Sequence, residues 1–190
     1  AHDELAKLAL EFLTKLANNP ARFPASRVNA VLAIGELKQT ESRSRELPKP
    51  WPAALPVLVQ AFGDANQLDG VRVAALVGIF RHAVLGGIDD PQVRAQLRSE
   101  LLKVAQAKED PRRSAEGQVW LRARAMDVLG TLKEPGPQNA VARALLAIVA
   151  DQEDALVARR AAAHALGRLN LPAGQGLDSS PMAVALAQLA

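Results

Sequence analysis

Four segments of the chain carry one helical pattern in one register, and this self-similarity constrains the fold more than any other feature. The segments begin at Ser26, Val71, Leu121 and Ala158. Each has Arg as its second residue (Arg27, Arg72, Arg122, Arg159) and Ala three positions later (Ala30, Ala75, Ala125, Ala162). A small or short residue follows (Ala33, Gly78, Val128, Ala165), and then a large aliphatic (Ile34, Ile79, Leu129, Leu166). In three segments the aliphatic is followed by Gly35, Gly130 or Gly167, and the helix is expected to end on Leu37, Leu132 or Leu169. Repetition of this kind marks stacked supersecondary units, each too small to bury its apolar face alone.

A second amphipathic stretch precedes each segment. Asp3 to Leu16 places Leu5, Leu8, Leu10, Phe12, Leu13 and Leu16 at helical spacing. Pro52 to Phe62, Pro91 to Ala107 and Gln138 to Ala150 read the same way, the first with Pro at its first turn, where the missing N–H costs nothing. The expected fold is all-α: an α-solenoid of about four antiparallel helix pairs plus a C-terminal helix. The pairs are expected over about 3–38, 52–83, 90–133 and 137–169, with a partial repeat at 181–190. The intervals between the repeat arginines are 45, 50 and 37 residues, which bracket the roughly 40–47 of helix-pair solenoids. The loops at Gln39–Pro50, Lys108–Gln118 and Asn170–Ser180 absorb the differences. One continuous domain over 1–190 is expected, and the apolar last helix (Met182, Val184, Leu186, Leu189) suggests a fragment of a longer protein.

The pattern resembles the second helix of HEAT and HEAT-like repeats. It is clearest at LRARAMDVLGTL (Leu121–Leu132) and ARRAAAHALGRL (Ala158–Leu169), and good at SRVNAVLAIGEL (Ser26–Leu37). VRVAALVGIFRH (Val71–His82) departs from it, with Phe80 where Gly is usual and His82 where Leu is usual. The resemblance covers nearly the whole chain. It implies a right-handed stack of helix pairs whose second helices line a concave surface. HEAT-like arrays are mostly protein-binding scaffolds; a minority bind nucleic acid, and a small minority are enzymes such as bilin lyases or DNA glycosylases.

Composition supports helix and removes several chemistries. The apolar content is mostly Ala, Leu and Val, and Tyr is absent; Ala and Leu are strong helix formers. Without Cys, thiolate catalysis, zinc–cysteine sites and disulfides are excluded. No apolar run approaches the roughly 18 residues of a membrane span, and the compartment is left open. The formal charge of +3 is mild for a nucleic-acid binder. No Ser–His–Asp set or phosphate loop is recognisable, and His82 and His164 lack metal-ligand company. No catalytic residue, metal or cofactor is therefore expected.

The arginines Arg27, Arg72, Arg122 and Arg159 sit at the edge of their own apolar stripes. They are expected to form a structural ladder, with Asp69, Glu116 and Asp154 as candidate partners. The second helices hold ten Lys or Arg against the two acids Glu36 and Asp127. Their outward positions include Leu32 and Val77, and an apolar ridge beside a few arginines suits a protein groove. The expected groove residues are Leu32, Val77, Arg81, Arg124, Asp127, His164 and Arg168. The expected function is a non-enzymatic scaffold that binds a protein partner or flanking domains of its own chain; nucleic-acid binding through the basic second helices is the alternative. Trp120 is expected to plug the space between repeats, and Trp51 to cover the end of an adjacent helix. The loop tracts Ser42–Arg45 and Pro111–Ser114 are candidate phosphate-facing or phosphorylated sites.

Overall fold

Alternating helix-forming stretches and short polar turns leave the chain few options besides antiparallel helix pairs. The computed structural model describes residues 2–42, 46–85, 88–107 and 110–171. These form an all-α protein of eight helices: α1 (His2–Asn18), α2 (Pro24–Glu36), α3 (Ala54–Gly63), α4 (Asp69–Leu85), α5 (Pro91–Ala105), α6 (Ala115–Leu132), α7 (Ala140–Ala150) and α8 (Leu156–Gly167). The expected helix at 181–190 lies outside the described residues, as does most of Ser42–Arg45. Two details differ from the sequence expectation. A short antiparallel pairing of Lys38–Thr40 with Lys49–Pro50 occupies the first long loop. Helix α4 runs past His82 to Leu85.

Side-chain caps account for the starts of α5 and α6. Asp90 caps α5 by accepting from the N–H groups of Gln92 and Val93, and Pro91 fills the first turn. Ser114 caps α6 by accepting from Gly117 N–H.

The chain divides into two compact units, Ala1–Asp89 and Asp90–Ala190. In the first, α1 packs on α2, α3 on α4, and the second helices α2 and α4 on each other. In the second, α5 packs on α6, α7 on α8, and α6 on α8. The cores are aliphatic: Ile34, Leu58, Leu76 and Ile79 in one unit, Leu97, Met126, Leu129 and Leu145 in the other, each almost wholly buried. Helix α1 is unusual. Leu5, Leu8 and Phe12, expected as core, lie on its exposed side.

The turns inside the pairs share one construction. Asn19, Asp64 and Asp151 each stand eight residues before the repeat arginine. Each side chain accepts from the backbone N–H two residues on, at 2.9, 2.9 and 3.1 Å, and each carbonyl accepts from the N–H three residues on. Asp110 builds the same turn before α6, accepting from Arg112 N–H at 3.0 Å, but four residues earlier relative to Arg122. Short Asx turns of this kind reverse the chain without long loops.

The repeat arginines cap the first helices of their own pairs. The Nε of Arg27, Arg72, Arg122 and Arg159 donates to the carbonyls of Ala17, Phe62, Ala105 and Val149, at 2.9 to 3.1 Å. These carbonyls lie in the last turns of α1, α3, α5 and α7, which lack intrahelical donors and carry the negative end of the helix dipole. Within each unit one arginine also reaches the turn of the following pair. Arg27 donates to Gln67 Oε1 at 2.6 Å, and Arg122 donates to both oxygens of Asp154 at 2.7 and 2.5 Å. Gln67 and Asp154 are the fourth residues of their turns. The same position holds Arg22 and Arg113 in the turns of the first pair of each unit.

The second helices meet at small residues. A Cβ on Gly35 would stand 2.8 Å from Gly78 Cα, and one on Gly130 would stand 2.8 Å from Ala165 Cα. Both contacts join the Gly after the large aliphatic of one repeat to the small residue before that aliphatic in the next.

His82 takes the place that Leu132 and Leu169 hold in their repeats. It is only 4% exposed, and its Nε2 has no hydrogen-bond partner. Burial, with Arg81 beside it, lowers its pKa from 6.5 to about 4. Above pH 6.5 the imidazole is neutral in both folded and unfolded chains. As pH falls from 6.5 to about 4 the unfolded chain takes up the proton first, so the fold loses stability. The loss is about 3 kcal/mol in all. Denaturant midpoints of the parent chain should fall across this window. His82→Leu should remove that slope, and an unchanged slope would place its origin elsewhere.

Candidate second-helix interface

Helix periodicity aligns four positions along the outer side of each second helix: two residues before the repeat arginine, and two, five and nine after it. In α6 these are Trp120, Arg124, Asp127 and Thr131; in α8 they are Val157, Ala161, His164 and Arg168. In α2 the same positions hold Ala25, Asn29, Leu32 and Glu36, and in α4 they hold Gly70, Ala74, Val77 and Arg81, of which Ala74 is buried.

The structure places the expected groove residues as follows. In the first unit Leu32 is 39% exposed and Val77 41%, on the packed helices α2 and α4. Arg81 forms an ion pair with Glu36 and donates to Gly35 O at 3.2 Å, so it ties α4 to the end of α2. In the second unit Arg124 pairs with Asp127 at 3.1 Å; these two contact each other directly. His164 is exposed and Arg168 half-buried on α8. Unit one therefore presents an apolar ridge, and unit two a charged one.

Sequence reasoning misplaced Trp120. Trp120 does not plug a gap between repeats. It is 48% exposed, with the Arg124 guanidinium 5.8 Å from its ring centroid. Val157, at the equivalent position of the neighbouring helix α8, is 49% exposed. The available signal was spacing: Trp120 lies four residues before Arg124, on the outer stripe. Trp51 is half-buried, and its backbone N–H donates to Leu37 O at 2.8 Å.

Other candidate sites lose their free charge. The Arg112 guanidinium lies bidentate on Asp110 at 2.9 and 2.8 Å, and this hydrogen bonding lowers the Asp110 pKa to about 2. Ser114 is engaged as a helix cap. Of the three acids proposed for the arginine ladder, Asp154 receives Arg122, while Arg27 uses the amide of Gln67. Among the described residues no three His, Asp or Glu side chains gather as a metal site, and no helix is long and apolar enough to cross a membrane. Comparison with protein-family models, curated proteins and solved structures found no match.

Proposed function

We propose that the chain is a HEAT-like, non-enzymatic scaffold that binds a protein partner, or flanking domains of its own chain, through the exposed side of its second helices. One observation carries this reading: a half-exposed Trp120 with Arg124 over its ring, on a helix packed against one that presents Val157. Trp and Arg are the side chains most enriched among residues that dominate protein interfaces. Arg124 held on the ring and by Asp127 loses little further freedom on binding. Leu32 and Val77 give the first unit an apolar patch of similar use. Nucleic acid is the weaker reading, because Arg81 and Arg124 already face Glu36 and Asp127, which reduces their attraction for phosphates.

Photo-crosslinking amino acids at Leu32, Val77 and Val157 in the full-length protein test this. The expected result is discrete protein adducts that Trp120→Ala reduces about tenfold or more, the effect of losing an interface anchor, without change in melting temperature. A fluorescent DNA duplex should stay unbound at low salt. Tight duplex binding that collapses with added salt, or adducts indifferent to Trp120→Ala, would overturn the reading.

A further inference from the structure

One rung of the arginine ladder is open. In both closed rungs the arginine Nε holds a carbonyl at the end of the first helix, and its Nη2 donates to the following turn: Arg27 to Gln67 Oε1 at 2.6 Å, and Arg122 to Asp154 Oδ2 at 2.5 Å. Arg159 repeats the first half of this arrangement, with Nε on Val149 O at 3.1 Å. It is only 9% exposed, and its Nη2 is buried without a hydrogen-bond partner among the described residues. A buried guanidinium donor without an acceptor destabilises, and a carboxylate brought to it relieves this.

The backbone of α8 is open at the matching place. Gly35 and Gly130 are buried where the next second helix packs on them. Gly167 holds the same register position on α8, yet it is exposed, and a Cβ built on it would have nothing within 4 Å. Helix α4, the second helix of the last pair in the other unit, carries Phe80 there instead of Gly. Helix α8 thus keeps both devices by which α2 and α6 receive a further pair, a small residue and a guanidinium Nη2, and neither is used.

We infer that the open side of α8 docks a helix pair of a protein partner, one that brings a carboxylate from its turn to Arg159 and a small residue of its second helix to Gly167. Charge selects an acid over the amide that Arg27 uses. From Leu156 to Leu169 the chain has Arg159, Arg160 and Arg168 and no acid, and Asp154 is taken by Arg122. A second copy of this chain is a poor occupant. Its first pair in each unit carries Arg22 or Arg113 where the acceptor should stand, and a like charge there repels Arg159. Trp120 takes no part in this contact, which is therefore independent of the second-helix ridge.

The probe is a synthetic peptide of residues 138–171, the pair that α6 already receives through Asp154 and Ala165. It is titrated into the isotope-labelled full chain, and the Arg159 Nε–H and Gly167 amide resonances are followed. Both should shift, and a peptide with Asp154→Arg should bind at least about tenfold more weakly, the effect of setting like charges together at a contact. In the chain, Gly167→Val has room for its own side chain. It should keep the melting temperature and abolish the shifts by filling the seat of the partner helix. Absent shifts, binding indifferent to Asp154→Arg, or shifts at Gly130 in place of Gly167, the sign that the peptide replaces the chain's own pair, would each overturn the proposal. So would movement of the Arg159 Nε–H resonance on Asp178→Asn in the full chain without peptide, because the acceptor would then lie in the chain itself.

Discussion

Replacing Asp154 by Ala should lower the free energy of unfolding by about 3–5 kcal/mol, because it strands a buried charge. The side chains of Arg122 and Asp154 are only 14% and 12% exposed. The guanidinium meets both carboxylate oxygens, its Nε is held by Ala105 O, and Ala155 N–H donates to Asp154 Oδ1 at 2.8 Å. Without the carboxylate, two guanidinium donors and a full positive charge face a site closed to most water. In the first unit the same rung is Arg27 on the neutral amide of Gln67. Gln67→Ala should cost less, about 1.5–3 kcal/mol, as for one hydrogen bond to a charged group. Urea unfolding of both variants decides the matter: equal losses would mean that the ion pair adds nothing beyond its hydrogen bonds.

The same rung sets a pH dependence distinct from that of His82. Burial raises the Asp154 pKa, but the hydrogen bonds and charge of Arg122, with Ala155 N–H and the charge of Arg159, outweigh it and hold the carboxyl below its usual 3.8. Its contribution is therefore present above the unfolded value and is lost as pH falls through the folded one. The parent chain should show two acid limbs, one between 6.5 and about 4 from His82 and one below 3.8 that Asp154→Asn removes.

The fold was legible because its main signal is short-range and periodic. Arg27, Arg72, Arg122 and Arg159 stand in one helical register, and so do the small residues that become the Gly35–Gly78 and Gly130–Ala165 contacts. The turns were harder to read. Asn19, Asp64 and Asp151 align with one another, but Asp110 is displaced by an added helical turn at the start of α6, so the fourfold Asx pattern is broken in the sequence. The acceptors Gln67 and Asp154 share one place, the fourth residue of an Asx turn, and a neutral amide such as Gln67 carries no charge signal that would single it out. The division into two units also has a sequence correlate. The acceptors Gln67 and Asp154 belong to the second pair of each unit, while Arg22 and Arg113 occupy their place in the first pairs. Phe80 and Val128 stand where Gly35 and Gly130, and Gly78 and Ala165, make the close contacts. The candidate sites were only half legible. Outer positions such as Leu32 and Val77 follow from helix periodicity alone. Trp120 was misread because bulk and apolarity suggest burial, whereas its four-residue offset from Arg124 sets it on the outer stripe.

Gly35→Val and Gly130→Val should each destabilise the chain by about 3 kcal/mol, the upper range for an overpacked core. The clash is with backbone in both cases. A Cβ at residue 35 would meet Gly78 Cα at 2.8 Å, and one at residue 130 would meet Ala165 Cα at 2.8 Å and its Cβ at 3.2 Å. No rotamer change relieves a contact with a main-chain atom, so α2 must lift from α4, or α6 from α8. Separation exposes the surrounding core, including Ile34 and Ile79 in one unit and Leu129 and Leu166 in the other. Gly78 differs, because its nearest neighbour is the terminal methyl of Leu58, at 2.8 Å. Gly78→Ala should therefore cost less than either valine, although Gly35 Cα at 3.1 Å still resists. Gly167 has nothing within 4 Å. Gly167→Ala should be neutral or stabilising by up to about 1 kcal/mol, the helix preference of Ala over Gly. Hydrogen exchange locates each effect: Gly35→Val should speed exchange in α2 and α4 while α6 and α8 stay protected, and Gly130→Val should do the reverse. Faster exchange across all eight helices from either substitution would mean that the chain opens as one cooperative block, and that the small-residue contacts do not hold each unit together on its own.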